Sequence, residues 1–305
     1  MNACAKRAWG NYCLNFALPM VQVQFTGLSE AQTSEITNLY PDLVVPSALG
    51  NAEHAVRCHA YRLDESPKIA LNELCIDGHY APRQINQANG ITLVGANFEA
   101  WFGSNLSDSS ANLGVVSEDE FAQINVLDNF LRVFSAHLVL GQGGVMLHSA
   151  GLVFDGLAYI FVGRSNVGKT TLSRKAHQVG ARVLSDDINL LLPREGGYHA
   201  FAVPFTGEFG RTIARHGERD SYPVAAIVLL AQGESLQTKT VSSSIALARL
   251  LVGCPFVNTD ADASNKLLDR LTEVVDSVPV IELSSRRDDD IKAIMTSVKR
   301  SINDV

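Results

Sequence analysis

Apolar and polar positions change their pattern about halfway along the chain. From Leu14 to Phe25 the residues read as one or two strands. Ser29 then caps a short helix over Glu30 to Leu39, which Pro41 closes. Apolar stretches at Ala55 to Leu63, Lys68 to Ile76 and Gly90 to Phe98 are separated by polar turns, which predicts a small α/β domain. Gly103 to Leu113, rich in Ser and Asn, reads as a linker or exposed loop. Ser117 with Glu120 three residues later forms a capping box. It is followed at helical spacing by Phe121, Ile124, Leu127, Leu131, Phe134 and Leu138, so one helix is expected up to Gly141.

Beyond Gly144 the apolar runs become short and continuous, as strands buried on both faces require. They predict strands at Gly151 to Phe154, Leu157 to Val162, Arg182 to Leu184, Leu190 to Leu192, Ala200 to Val203, Ala225 to Leu230 and Val280 to Leu283. Helices are expected at Thr170 to Val179, Ser243 to Val252, Ser264 to Val275 and Asp288 to Ile302. The expectation is an α/β protein of two domains. A smaller one spans residues 1–114, and a second with a mixed sheet covered by helices spans 115–305.

Composition narrows the class without naming a chemistry. With 46% hydrophobic and 19% charged residues the 305-residue chain has the make-up of a globular protein with ample core, and it lacks an apolar run long enough to cross a bilayer. A net charge of -7 opposes a nucleic-acid backbone as the main partner. Five scattered cysteines without a C-x-x-C pair oppose a disulfide framework and a zinc site, and point to a reducing, cytoplasmic setting. Asn and Gly interrupt any apolar core near the amino terminus, which argues against a signal peptide.

Chemistry enters at Gly163-Arg164-Ser165-Asn166-Val167-Gly168-Lys169-Thr170, which matches G-x-x-x-x-G-K-[ST] between a predicted strand and a predicted helix. Glycines let such a backbone fold around an anion, and the N–H groups of the loop and the helix start point at phosphates. Lys169 is placed to reach the β and γ oxygens, and Thr170 offers a hydroxyl to Mg²⁺; Thr171 completes the phosphate-binding stretch. Asn166 tolerates the left-handed conformation such loops require. The next strand runs into Asp186-Asp187, a carboxylate pair suited to one metal-supporting and one proton-accepting role; Asp186 is placed with the metal, and which of the two takes which role is left open by the residues alone. His148, taken by itself, reads as a core histidine.

The stretch from about Met146 to Leu192 resembles the catalytic domain of HPr kinase/phosphorylase and its kinase-like relatives. The order is the same: a histidine, a hairpin, the glycine-rich loop, a helix, a glycine, and a strand ending in Asp-Asp. His148 lies fifteen residues before Gly163 and Asp187 twenty-four after it, spacings similar to those of the family's catalytic histidine and aspartate. The resemblance implies a phosphoenolpyruvate-carboxykinase-like P-loop domain using ATP and Mg²⁺. Lys169 would steady the transferring group, Asp187 would accept the proton of a serine hydroxyl, and His148 would orient the phosphates or the aspartate. Asn166 stands where the family usually has glycine. The nearest counterpart of the family's downstream metal-binding signature is Phe205 to Arg211, which nominates Glu208. The Pro-Gly-Arg-Asn-type loop tied to phosphorylase activity is absent, and the amino-terminal half looks more like the divergent stand-alone relatives found beside peptide-modification genes.

The expected function is therefore a kinase that phosphorylates a serine-type hydroxyl of a small protein or peptide, with neither nucleic acid nor membrane as partner and self-association left open. A nucleotide-dependent switch or scaffold without phosphoryl transfer is the alternative from another class, and a small-molecule kinase is a third.

Overall fold

The computed structural model describes residues 7–46, 55–76, 79–103, 110–121, 123–205, 207–213, 221–259 and 261–303. It is a mixed α/β protein with two multi-stranded sheets, one in each of two compact units that meet in sequence at Gly141 and Gln142.

The first unit holds β1 (Tyr12–Leu18), β2 (Val21–Leu28), α1 (Glu30–Leu39), β3 (Ala55–Arg62), a small ribbon of β4 (Cys75–Ile76) and β5 (His79–Tyr80), β6 (Arg83–Gln87), β7 (Gly90–Val94), β8 (Phe98–Gly103), β9 (Ser110–Val115) and α2 (Asn129–Gly141). Its seven-stranded sheet runs β1-β2-β3-β9-β8-β7-β6. Strands β2, β3 and β9 are mutually parallel neighbours, and the remaining pairs are antiparallel. Period-two alternation sends Phe16, Val23 and Phe25 into the core while Asn15, Gln22 and Gln24 face the other way. The core is aromatic: Phe16 meets Phe25 edge-on at 5.3 Å, Phe102 meets Phe134 at 5.4 Å, and Phe130 stacks on Phe134 at 5.5 Å.

Helix α1 starts after Ser29 as expected, and the structure adds a capping box with Gln32. Ser29 Oγ accepts from Gln32 N at 3.2 Å, and Gln32 Oε1 accepts from Ser29 N at 3.0 Å. The box expected at Ser117 and Glu120 behaves differently. Ser117 N donates to Glu120 Oε2, but the box closes only a turn over Glu118–Glu120; a π-type turn over Ile124–Asp128 intervenes before α2 begins at Asn129. The wider turn lets Val126 and Leu127 both bury ahead of Phe130 and Leu131. Because these residues complete the aromatic core, the helix belongs to the first unit, and the division falls at Gly141 rather than at residue 114. Of the loop expected at Gly103 to Leu113, residues 104–109 lie outside the described residues, and its end is strand β9. The stretch from Lys68 to Ile76 is mostly irregular, with one 3₁₀ turn at Leu71–Leu74 before β4.

The second unit holds β10 (Val145–Phe154), β11 (Leu157–Val162), α3 (Lys169–Gln178), β12 (Arg182–Ser185), β13 (Ile188–Arg194), β14 (Gly197–Phe201), β15 (Ser221–Gln232), β16 (Gln237–Thr240), α4 (Ser243–Val252), α5 (Ala261–Ser277), β17 (Val280–Ser285) and α6 (Ile291–Asn303). Strands β11, β15 and β17 are parallel and central. Strand β10 runs antiparallel to β11 on one side. On its other side it pairs β13 along Val145–His148 and β12 along Gly151–Val153. Apolar residues of α3 and α6 cover one face, where Leu172, Ala176, Ile294 and Val298 meet Phe161 and Val228. On the other face Arg249 of α4 donates to the Leu230 carbonyl and pairs with Glu282. Among the described residues no helix is long and apolar enough to cross a membrane.

Candidate active site

Three chain segments meet where β10 changes partner. The hairpin turn at Asp155 and Gly156, both at positive φ, sets the β10/β11 register with Ser149 opposite Val162. His148 directly precedes Ser149 in β10, and Gly163, the first residue of the glycine-rich loop, directly follows Val162. Strand β12 ends on the other side of β10, and Ser149 N donates to the Asp187 carbonyl at 2.9 Å. The spacings of fifteen and twenty-four residues are thus the lengths of chain that bring a histidine and an aspartate to the loop from both sides.

The loop is shaped by two left-handed residues, Asn166 at φ 64° and Gly168 at φ 117°. Gly168 is the N-cap of α3, so the helix's first amides open towards the loop. A side chain at Gly163 would force its neighbours to shift, since a Cβ there would lie 2.7 Å from Val167 Cγ1. Arg164, Ser165 and Asn166 form the exposed crest; Thr170 and Thr171 are half-buried in the first turn of α3. Lys169 is only 6% exposed, and its ammonium donates to the carbonyls of Gly163 at 2.6 Å and Arg164 at 3.1 Å. Burial holds its pKa below the ordinary lysine value, and the charge of the Asp187 carboxylate pulls it part of the way back. An ammonium has three donors, so the lysine both ties the loop and keeps a charge beside Asp187.

His148 Nδ1 lies 3.1 Å from Asp187 Oδ1, with the two side chains 37% and 19% exposed. The histidine's backbone is fixed as well, because its N–H donates to the Gly253 carbonyl at 2.7 Å. The pair can hold or pass a single proton.

Asp186, the residue placed with the metal, sits apart from the histidine. It is 4% exposed, and its carboxylate accepts from the backbone N–H groups of Gly207 at 2.8 Å, Phe209 at 3.1 Å and Gly210 at 3.1 Å. Adjacent residues of a strand end point to opposite sides, which is why Asp187 meets His148 while Asp186 meets this turn. Glu208, on the same turn, has an 88% exposed side chain 3.7 Å from Arg174. Neither Ser185 nor Gly207 is singled out by the motif. Ser185 Oγ donates to the Phe205 carbonyl at 2.7 Å and accepts from Asp187 N and Ile188 N, so it fixes the backbone at Asp187 and ties it to Phe205. The paired glycines 207 and 210 were the available sequence signal for a tight turn. Beneath the site Asn189 Nδ2 donates to the Ser149 carbonyl and hydroxyl, bracing the junction of β10 and β13.

A Mg²⁺ ion takes hard oxygen donors and needs only one or two protein ligands when phosphates supply the rest. Among the described residues no three His, Cys, Asp or Glu side chains stand together as a metal centre of their own. The Thr170 hydroxyl is an oxygen donor suited to an ion arriving with a triphosphate.

Fold and site define a mixed α/β protein with a glycine-rich loop between a buried strand and a helix, faced by a histidine–aspartate pair. A family model described as SynChlorMet cassette protein ScmC matches residues 114–271, just over half of the chain, and the chain belongs to that family. Among solved structures, the HPr(Ser) kinase/phosphatase from Coxiella burnetii aligns with a TM-score of 0.30 at 15% identity, over 51% of this chain and 94% of that one. That likeness by itself decides nothing about this chain. No curated protein matches it.

Proposed function

We propose that the chain is a kinase that uses Mg²⁺ and ATP to phosphorylate a serine-type hydroxyl of a small protein or peptide. The observation that carries this reading is the His148–Asp187 pair, 3.1 Å apart, beside the loop whose Lys169 is buried next to the same carboxylate. Loop amides and Lys169 hold the triphosphate so that its γ-phosphorus faces the pair. Asp187, oriented by His148, takes the proton as the acceptor oxygen bonds to the γ-phosphorus. The bond from that phosphorus to the β–γ bridging oxygen breaks, and ADP leaves with the electron pair. Mg²⁺, held by Thr170 and the phosphates, would supply neutralisation of charge on the phosphate oxygens.

The test is incubation of purified protein with γ-labelled ATP and Mg²⁺ in cell lysate, followed by phosphoamino-acid analysis. A labelled band containing phosphoserine, lost with Lys169→Ala and with Asp187→Ala, is the expected result. Tight nucleotide binding that needs Lys169 but yields no labelled product would point instead to a nucleotide-dependent switch.

A further inference from the structure

The Asp-Asp pair at the end of β12 has one member that the proposed chemistry does not use. Asp186 is buried, and a buried carboxylate is stable only when its charge is met by donors. Here the donors are all main-chain: the N–H groups of Gly207, Phe209 and Gly210, each within 3.1 Å. Three of the roughly four lone-pair directions of the carboxylate are thereby taken. The turn is fitted to the carboxylate, since a Cβ on Gly207 would sit 2.7 Å from Asp186 Oδ2. Ser185, one residue earlier, ties the start of the same turn through the Phe205 carbonyl. The far side of the turn rests on α3, the helix that begins at Lys169. The Phe209 ring lies under the Arg174 guanidinium at 5.8 Å and meets His177 edge-on at 5.8 Å. The turn therefore links the strand end that bears Asp187 to the helix that carries the loop, and presents Glu208 outward beside Arg174.

We infer that Asp186 is a positioning residue rather than a metal ligand: it locks the Gly207–Gly210 turn as the wall of the site against which the acceptor segment is placed. The acceptor clause rests on the kinase reading; the anchoring of the turn does not, and the two are measured separately.

Asp186→Asn keeps the volume but replaces one acceptor oxygen with a donor that faces N–H groups. Gly207→Ala disturbs the same contact from the other side and leaves the carboxylate intact. Hydrogen exchange of the Phe209 and Gly210 amides is expected to quicken at least ~10-fold in both variants, with the core amides of α3 unchanged. The Mg²⁺ concentration for half-maximal ATP binding, read by calorimetry, is expected to stay within ~2-fold of wild type. Loss of a true metal ligand would raise it ~10-fold or more. In the transfer assay both variants are expected to raise KM for the acceptor ~10-fold while kcat stays within ~3-fold, the split that distinguishes positioning from chemistry. A raised Mg²⁺ midpoint in Asp186→Asn alone, or unchanged exchange at Phe209 and Gly210, would overturn the anchoring. Quickened exchange with an unaltered acceptor KM would overturn the acceptor wall and leave the kinase reading in place. Absence of any transfer by wild type would remove the kinase reading and leave the exchange and Mg²⁺ results to decide on Asp186.

Discussion

The two sheets of this chain are built on opposite plans. In the first unit β1 and β2 alternate, with Phe16, Val23 and Phe25 inside and Asn15, Gln22 and Gln24 on the other face, where Gln24 bonds to Asn15 and Arg57. In the second unit β11 and β15 carry unbroken buried runs, Ala158 to Val162 and Ala226 to Leu230. A sheet buried on both faces leaves polar chemistry little room except at strand ends, and there the glycine-rich loop and Asp187 lie, beside His148 at the point where β10 changes partner. The one-sided sheet spreads its polar residues over a face instead.

The largest expected effects separate the units by chemistry. Lys169→Ala and Asp187→Ala should each lower phosphoryl transfer by about 10³-fold, with thermal unfolding close to wild type; that follows from removing a phosphate cation or a proton acceptor. Next come the cores. Phe25→Ala and Phe161→Ala should each cost about 3–5 kcal/mol in denaturant unfolding, both rings being fully buried. Only Phe161→Ala should also weaken nucleotide binding, because Phe161 lies in the strand that delivers the loop. Equal loss of nucleotide affinity in both variants would break the comparison.

Glycines give a smaller contrast. At Gly151 a Cβ would lie 2.2 Å from Asn189 Oδ1, so Gly151→Ala should cost about 1–3 kcal/mol. At Gly141, the last residue of α2, a Cβ meets nothing within 4 Å, and Gly141→Ala should stabilise by about 0.4–1 kcal/mol. Melting curves check both signs.

The smallest effect is electrostatic. Hydrogen bonding and charge from Lys239, joined by Arg249, hold the Glu282 pKa below 4.5 against the opposing effect of burial. A folded-state value below the unfolded one contributes stability that is present above pH 4.5 and lost as the pH falls through the folded value. Glu282→Gln should therefore cost about 1 kcal/mol near neutral pH, and the difference from wild type should shrink on acidification. Gln24→Ala, on the polar face of the other sheet, should stay within about 0.5 kcal/mol at every pH.

What the sequence made legible follows the same division. Helix α1 after Ser29, the β10/β11 hairpin and the loop could be read because each is a local pattern with its own geometry. Strands β6 and β16, with sequences RQINQ and QTKT, escaped because polar strands carry no apolar signal. The unit boundary escaped because the box at Ser117 is local, whereas the membership of α2 is decided by the rings of Phe25 and Phe102 that it packs on. The convergence of His148, Lys169 and Asp187 was legible as spacing within a resemblance. The separate task of Asp186 was not, because two adjacent aspartates look alike until the strand end turns them to opposite sides.

The central claim is that His148 and Asp187 act as one proton-accepting unit. A double-mutant cycle on the rate of γ-phosphoryl transfer, with His148→Ala, Asp187→Ala and both together, tests it most directly. The account predicts strong non-additivity, the double variant being no slower than Asp187→Ala alone. Fully additive losses, or transfer undiminished by either substitution, would contradict it.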